Sequence, residues 1–267
     1  MFVDSHCHLS FPELLGRIDA VRADMAAASV DRALVICTTL EEFDTVHGLA
    51  MAHDNFWCTA GVHPDNEGVV EPDVARLQAL AQQPKVVAIG ETGLDYYRLN
   101  GRSVADMQWQ RDRFAVHLAV ARAVGKPLVI HTRSASADTL AMLGDAQRAA
   151  SGTLTGVLHC FTESLEVARA ALDFGFHISF SGILTFKTAH ELREVARFVP
   201  LERCLIETDS PYLAPVPYRG RPNSPAYVPH VAAELARVKG LPVDAVAAAT
   251  SRNFERLFSL PATPPGP

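Results

Sequence analysis

Eight short apolar runs recur along the 267-residue chain at intervals of about 30 residues, and this spacing constrains the fold more than any other feature. The runs are rich in Val, Ile, Phe and Cys, and most are continuously apolar rather than alternating. Continuous apolar runs are expected of strands that are buried on both faces of a parallel sheet. The predicted strands span residues 2–6, 33–38, 57–62, 86–91, 127–131, 155–159, 177–181 and 204–209.

The stretches between these runs are rich in Ala, Leu, Arg and Glu and show helical periodicity. Residues 106–124 predict one helix that ends at Gly125, and residues 165–174 predict another, with Thr162 or Ser164 as its N-terminal cap. Strands that alternate with helices imply βαβ units, and eight units predict an α/β protein with a single (β/α)8 TIM barrel. A doubly wound open sheet is the alternative, but no G-x-G-x-x-G follows the first strand.

No linker or low-complexity tract divides the chain, so we predict one domain over residues 1–260. The Pro-rich tail, residues 261–267, is predicted to be disordered because it can hold neither a helix nor a central strand. The chain shows no signal peptide and no apolar run of about 20 residues, which predicts a cytoplasmic protein. The five cysteines form no C-x-x-C pair and lie in apolar segments, so we expect reduced thiols packed in the core.

The composition limits the classes of function. Hydrophobic residues make up 48% and charged residues 20%, which excludes disordered, collagen-like and coiled-coil chains. A formal net charge of −6 argues against a protein that holds nucleic acid by bulk positive charge. Only four of the 24 basic residues are lysines, so few lysines are present to pair with buried carboxylates.

Six of the eight predicted strand ends carry residues suited to metal binding or acid–base chemistry. The segments are Asp4-Ser-His-Cys-His8, Gly61-Val-His-Pro64, Gly90-Glu-Thr-Gly-Leu-Asp-Tyr-Tyr97, His131-Thr-Arg133, His159-Cys-Phe161 and Glu207-Thr-Asp-Ser-Pro211. Active sites of (β/α)8 barrels gather at the carboxyl ends of the strands. We therefore expect these segments to converge, although they lie far apart in the sequence.

The first and last of these segments suggest a metal site. His6 and His8 are two residues apart, so both imidazoles point to one face of an extended segment. Glu91 and Asp209 each end an apolar strand, where an unpaired carboxylate is costly. No lysine lies at these strand ends, so a metal ion is the simplest partner, and imidazole with carboxylate suits Zn, Mn, Co, Ni or Fe.

Four histidines and two carboxylates at the strand ends are more than one tetrahedral ion requires. The count therefore favours two ions with one bridging carboxylate. The candidate ligands are His6, His8, Glu91, His131, His159 and Asp209.

Other polar residues near the strand ends are candidate substrate contacts. His63 follows the third strand and could be a ligand, a proton donor, a substrate contact or part of the loop structure. Arg133 shares a face with His131, where its guanidinium could grip a phosphate in a bidentate manner or pair with a neighbouring acid. A Gly-bearing loop after the last strand, where barrels often bind phosphate, is either a phosphate site or an ordinary surface loop. Its candidate residues are Arg219, Arg221 and Asn223.

The remaining polar residues are given supporting roles or none. Glu207 shares a face with Asp209 and is expected to support the site through a hydrogen-bond network. Asp95, Tyr96 and Tyr97 could support the site or contact substrate. The other histidines are interpreted as incidental, namely His47, His53, His117, His177, His190 and His230.

Taken in order, the six segments resemble the TatD-type metal-dependent deoxyribonucleases of the amidohydrolase superfamily. The resemblance is carried by DSHCH, GVHP, GETGLDYY, IHTR, LHCF and ETDSPYL and covers about residues 1–258. It implies a (β/α)8 barrel with one metal ion held by His6, His8, Glu91 and Asp209. It implies a second ion held by Glu91, as the bridge, with His131 and His159. His63 would then contact the scissile phosphate or assist the leaving group, and the loop carrying Arg219, Arg221 and Asn223 would hold a flanking phosphate.

The resemblance implies a hydrolase of ester bonds, in the first place a DNA exonuclease or deoxyribonuclease. It would use two divalent cations, Mg, Mn or Zn, and a metal-activated water for which Asp209 is the general base and Glu91 the bridging ligand. The alternatives are a related hydrolase of aminoacyl-tRNA, of a small phosphodiester or of an amide or lactone, and a barrel that binds without catalysis. Many sister amidohydrolases bridge their metals through a modified Lys, and Glu91 stands at that position here.

The expected partner is nucleic acid, DNA before RNA, and no membrane. We expect a monomer or a weak homo-oligomer. The chain has no stretch of interleaved aromatic and basic residues, so the sequence does not predict a groove that binds bases.

Overall fold

The computed structural model describes residues 1–149 and 154–261 and contains all eight predicted strands. Their bounds are β1 Phe2–Cys7, β2 Val30–Val35, β3 Phe56–Ala60, β4 Val86–Asp95, β5 Leu128–Arg133, β6 Gly156–Leu158, β7 His177–Phe180 and β8 Cys204–Ile206. All neighbours pair in parallel, in the order in which they occur along the chain. The open doubly wound sheet is therefore wrong, because such a sheet reverses its strand order at a switch point.

Helices follow the strands and cover the outside of the sheet. Their bounds are α1 Pro12–Leu15, α2 Ile18–Ala27, α3 Phe43–Ala52, α4 Val74–Ala81, α5 Gln108–Val124, α6 Ser136–Arg148, α7 Leu165–Asp173, α8 His190–Phe198, α9 Val228–Lys239 and α10 Val243–Leu257. The predicted helix 106–124 is α5, preceded by a short 3-10 turn, and Gly125 ends it with a φ of 66°. The N-terminal cap of α7 is Ser164 and not Thr162, since the Ser164 hydroxyl accepts from the Val167 N–H at 3.4 Å.

The barrel closes between β8 and β1, beyond the end of β8. The His8 N–H donates to the Ser210 carbonyl at 2.8 Å, and the Asp209 N–H donates to the His6 carbonyl at 3.0 Å. These bonds join the segment that follows β8 to the carboxyl end of β1 and the residue after it. The backbones of three predicted metal ligands, His6, His8 and Asp209, thus take part in closing the barrel.

Two apolar layers hold the structure together. Neighbouring residues alternate between them, for example Leu34 and Ile36 in the smaller layer against Ala33 and Val35 in the larger one. The larger layer packs strands against helices, so the smaller one fills the barrel interior, where Phe254 of α10 joins it. Burial on both faces explains why the strands read as continuous apolar runs.

Four of the five cysteines are buried, as predicted, and all five are free thiols. The exception to the core prediction is Cys160, which is half-buried and lines the main cleft. Within the described ranges, no helix has the length and apolar character needed to cross a membrane. Of the predicted disordered tail, residues 262–267 lie outside the described part of the chain.

Candidate metal centre

The candidate ligands lie on the inner face of the barrel at the carboxyl ends of the strands. Along β5, His131 is two residues beyond Val129, which belongs to the inner apolar layer, and His159 stands in the same relation to Val157. The period of two therefore turns each ligand inward above an apolar layer. Five of the six candidate ligands, all except the fully buried His6, line a cleft of about 720 Å³.

Glycines around Glu91 let β4 approach its neighbours closely. Gly93 has a φ of 128°, and a Cβ atom there would lie 2.0 Å from the His131 carbonyl oxygen. A Cβ atom at Gly61 would lie 2.4 Å from the Gly90 carbonyl carbon. Any larger residue at these positions would push apart the strands that carry Glu91 and His131.

The ligand atoms fall into two clusters. The first cluster consists of four side-chain atoms: His6 Nε2, His8 Nε2, Glu91 Oε2 and Asp209 Oδ1. His6 Nε2 lies 3.3 Å from His8 Nε2, 3.3 Å from Glu91 Oε2 and 3.5 Å from Asp209 Oδ1. His8 Nε2 lies 3.3 Å from Asp209 Oδ1 and 3.9 Å from Glu91 Oε2. Ligands about 2.0–2.1 Å from a tetrahedral ion are about 3.4 Å apart, so these spacings match a tetrahedral site.

The second cluster is arranged around the other oxygen of the same carboxylate. Glu91 Oε1 lies 2.8 Å from His159 Nε2, 3.4 Å from His131 Nδ1 and 3.4 Å from His63 Nε2. One oxygen of Glu91 thus faces each cluster, which is the placement that a bridging carboxylate needs.

The charge and the hydrogen bonding of Glu91 fit a cation. Its Oε2 is buried and accepts no hydrogen bond within the described residues. Burial by itself raises the pKa of this carboxyl, but His159, His63 and His6 hold the pKa well below its ordinary value. A buried carboxylate anion among imidazole nitrogens is stabilised by a metal ion, and this nitrogen–oxygen donor set suits the ions of the zinc and manganese type. The residues present therefore fit a metal centre.

Carboxylates stand behind two of the three histidines of the second cluster, His131 and His159. Asp95 Oδ2 lies 2.9 Å from His131 Nε2, and Glu207 Oε1 lies 3.3 Å from His159 Nδ1. Glu207 Oε1 also accepts the Cys160 N–H at 2.7 Å. Such contacts fix the tautomer and orientation of a ligating imidazole. Glu207 therefore lies where the sequence placed it, in a supporting network, and Asp95 supports the site rather than facing the cleft.

Asp4, the first residue of the DSHCH segment, lies outside both clusters. Its carboxyl group accepts from the Thr208 N–H at 2.9 Å and from the Thr208 hydroxyl at 2.5 Å. Burial raises the pKa of Asp4 to about 8, although the hydrogen bonds from Thr208 and from the His6 N–H lower it. Asp4 thus links β1 to the segment after β8 and holds His6 and Asp209 close together.

His63 is oriented as a hydrogen-bond donor. Its Nδ1 accepts the Asp65 N–H at 3.1 Å, so a neutral imidazole carries its proton on Nε2. Burial, aided by His131 and His159, lowers the pKa of His63 to about 3 despite the nearby Glu91. A protonated Nε2 offers no lone pair to a metal. The His63 side chain lines the cleft, with its Nε2 3.4 Å from Glu91 Oε1.

Asp209 combines a contact with the first cluster and access to the cleft. Its backbone is in the left-handed region, with a φ of 57°, which Asp tolerates better than most residues. Its side chain is 14% exposed, compared with 3% for Glu91. Burial raises the pKa of Asp209, but His8 and His6 bring it below its ordinary value. Asp209 is therefore an anionic group that belongs to the first cluster and also lines the cleft.

The residues that were predicted to contact phosphate lie in different parts of the structure. Arg133 lines the cleft, as predicted, and so does Arg98, which the sequence analysis missed. Arg219 and Arg221 are exposed but do not line the cleft. Asn223 is buried, and its amide donates to the Thr208 and Tyr212 carbonyls at 2.8 and 2.6 Å. Its amide thus holds the loop in place, an arrangement that does not favour the predicted phosphate contact.

His117 is a second residue that the sequence analysis missed. It is fully buried on α5, where its Nε2 accepts the Val62 N–H at 3.0 Å and its Nδ1 lies 2.8 Å from the Arg113 carbonyl. It therefore holds the chain next to His63. No signal in the sequence distinguishes it from the other histidines on helices, whereas Arg98 follows directly on the GETGLDYY segment.

Comparison with known proteins places this geometry in a family. The family model described as TatD related DNase matches residues 3–259. A protein of Escherichia coli K12 named uncharacterized metal-dependent hydrolase YcfH is 47% identical over 265 residues, covering 98% of this chain and 97% of the relative. A protein of Klebsiella pneumoniae named 3'-5' ssDNA/RNA exonuclease TatD is 37% identical over 248 residues, covering 91% and 92%.

Solved structures show the same likeness. The crystal structure of YjjV, a TatD homologue from Escherichia coli K12, superposes with a TM-score of 0.89 at 29% identity and covers 97% of this chain and 98% of that one. A TatD-family hydrolase structure from Entamoeba histolytica gives a TM-score of 0.81 at 22% identity, covering 96% and 97%, and supports the fold.

Proposed function

The chain belongs to the family of TatD-related DNases, and from that membership we propose that it is a metal-dependent hydrolase of phosphodiester bonds in nucleic acid. The preferred substrate is single-stranded DNA, cleaved from an end. The name of the Klebsiella pneumoniae relative, a 3'-5' ssDNA/RNA exonuclease, supports this choice of substrate and mode of cleavage.

One observation carries the proposal: the two oxygens of Glu91 face two separate clusters of metal-ligand type. This arrangement suits two divalent cations that share one carboxylate. Paired ions suit in-line displacement at phosphorus, because the attacking and the leaving oxygen each need stabilisation.

Local positive charge at the cleft offsets the net charge of the chain. Arg98 and Arg133 line the cleft, and the charge of Arg98 also lowers the pKa of the nearby Asp65 carboxyl against the effect of burial. The overall charge of −6 therefore does not oppose the binding of a phosphate there. Bound divalent cations would add to the same local potential.

Within this proposal, His6, His8, Glu91 and Asp209 hold one ion, and Glu91, His131 and His159 hold the other. When bound, the ions acidify a water molecule and neutralise charge on the phosphoryl oxygens. Asp209 accepts the proton of the attacking water at its carboxylate, which reaches into the cleft.

His63 and Arg133 act on the phosphate itself. The Nε2–H of His63 donates to the phosphoryl or the leaving oxygen as negative charge develops there. Arg133 binds a phosphate oxygen at the cleft rim and keeps the strand in register.

The test is a substrate panel with measured metal content. Protein purified without added metal is analysed for its elements and then assayed on single-stranded DNA, duplex DNA, RNA, aminoacyl-tRNA and a set of amides and lactones. The proposal expects the highest kcat/KM on single-stranded DNA, its loss with EDTA and its return with Mg²⁺, Mn²⁺ or Zn²⁺. Full activity in EDTA, or hydrolysis of amides or lactones alone, would overturn it.

A further inference from the structure

Tyr97 is the second residue after β4, and its exposed ring packs against Arg133, which lines the cleft. Its side chain is 58% exposed, although aromatic rings are usually covered. The guanidinium carbon of Arg133 lies 3.6 Å from the centre of the Tyr97 ring. An exposed ring that holds a guanidinium flat against one face is a feature that the metal chemistry does not require.

This stack is tighter than most others in the protein. Within the described residues, the cation–ring contacts have guanidinium-to-ring distances of 3.5 to 6.0 Å, and only Arg219 over Phe186, at 3.5 Å, is as close as Arg133 over Tyr97. Of these two arginines, Arg133 lines the cleft above the metal centre. One face of its guanidinium is occupied by Tyr97, and the arginine borders the cleft where a ligand would enter.

The stack is rigidly connected to the metal centre through Asp95. Asp95 Oδ1 accepts the Tyr97 N–H at 2.8 Å, while Asp95 Oδ2 lies 2.9 Å from the candidate ligand His131. Asp95 is also the register partner of Arg133 between β4 and β5. One carboxylate therefore contacts both the backbone of Tyr97 and the candidate ligand His131.

We infer that the Arg133–Tyr97 stack is a platform for a nucleobase of the substrate strand, next to the phosphodiester bond that is hydrolysed. This inference rests on the proposed function. A guanidinium plane and an aromatic ring both stack on bases, and they do so with little preference for base identity. A base can reach the platform only when it is unstacked from its neighbours, so the platform favours a single strand or a frayed end.

The experiment compares Tyr97→Ala and Tyr97→Phe with the wild-type protein in its metal-loaded form. Binding is measured with a phosphorothioate DNA strand that resists cleavage and carries the fluorescent base 2-aminopurine at successive positions. Stacking quenches this base, so we expect one position to be quenched by wild type and by Tyr97→Phe. For Tyr97→Ala we expect weaker quenching and a Kd raised by roughly 5- to 150-fold.

The abasic strand separates base stacking from the positioning of Arg133. When the quenched position is made abasic, wild type and Tyr97→Ala should bind equally. On the cleavable strand, Tyr97→Ala should raise KM and leave kcat nearly unchanged. Phe198→Ala is the matched control, since Phe198 is 38% exposed and carries Arg169 at 4.6 Å on the outer helices; it should behave as wild type.

The outcomes distinguish this inference from the proposed function. Equal loss of binding to intact and abasic strands in Tyr97→Ala would overturn base stacking and leave only a role in orienting Arg133. Equal Kd values for wild type and Tyr97→Ala on the intact strand would also overturn it, even if cleavage occurs. Quenching that depends on Tyr97 without any cleavage of nucleic acid would support the platform and overturn the proposed reaction.

Discussion

The two clusters of the metal centre share Glu91 but are built differently. In the first cluster, two carboxylates, Glu91 and Asp209, lie among the candidate ligands, and the Nδ1 atoms of His6 and His8 have no hydrogen-bond partner within the described residues. In the second cluster, Glu91 is the carboxylate that faces the ion site, and two further carboxylates stand behind the histidines.

The difference shows two ways of supplying negative charge to a cation. The first cluster places charge directly at the ion, where Asp209 also reaches the cleft. The second cluster would pass charge through imidazole, so that a substrate oxygen could lie at the ion site with His63 beside it as a donor. We therefore expect the first cluster to activate the attacking water and the second cluster to bind the phosphate.

Glu91→Gln breaks both clusters at once and should have the largest effect. Neutralising the shared carboxylate removes the charge that both ion sites rely on, so we expect less than one ion per chain and activity lowered by more than about 10⁴-fold. Elemental analysis and the rate of DNA hydrolysis provide the measurement, with the Tm as the control for folding. Activity within tenfold of wild type would show that Glu91 is not the bridge.

Asp209→Asn separates the clusters. It keeps the shape of the side chain and removes the charge and the proton acceptor, so we expect kcat to fall by about 10²- to 10⁴-fold. Because the second cluster is intact, about one ion per chain should remain by elemental analysis. If kcat is unchanged, the general base lies elsewhere.

Asp95→Asn tests the carboxylate that supports His131 in the second cluster. Loss of the Asp95 charge behind His131 should lower the affinity for one of the two ions by about 10- to 100-fold. Excess metal should restore the rate. The readout is a metal titration followed by activity. Asp106→Asn, an exposed carboxylate that bonds only to Ser103, serves as the control and should titrate as wild type. A metal affinity equal to that of wild type would remove Asp95 from this role.

Replacing His117 should have the smallest effect on the chemistry and a measurable effect on how the stability depends on pH. Burial lowers the pKa of His117 from 6.5 to about 4. The unfolded chain therefore binds this proton more readily, and the stability present above pH 6.5 is lost as the pH falls towards 4. The loss equivalent to this shift is about 3 kcal/mol.

The measurement compares the free energy of unfolding of metal-free wild type and His117→Gln at pH 7 and pH 4. The glutamine cannot take up the proton, so wild type should lose about 3 kcal/mol more than the variant over this interval. Parallel losses in the two proteins would show that His117 does not titrate in this window.

Much of the fold could be read from local sequence. The continuous apolar runs placed all eight strands, and the spacing of His6 and His8 predicted that both would lie on one face. Arg98 and His117 could not be found in this way. Their roles depend on which distant segment they meet. His117 resembles any other histidine on a helix, and the signal at Arg98 is that it follows the GETGLDYY segment.

The sequence by itself determined the eight units, the family resemblance and the set of chemically suited side chains, because these depend on neighbours along the chain. Only the tertiary structure decided that each oxygen of Glu91 faces a different cluster, that His63 presents a proton on Nε2, and that Asn223 turns inward. It also brought Tyr97 and Arg133 together. These outcomes depend on distances of a few ångströms between segments that are tens or hundreds of residues apart, and only the closed barrel sets those distances.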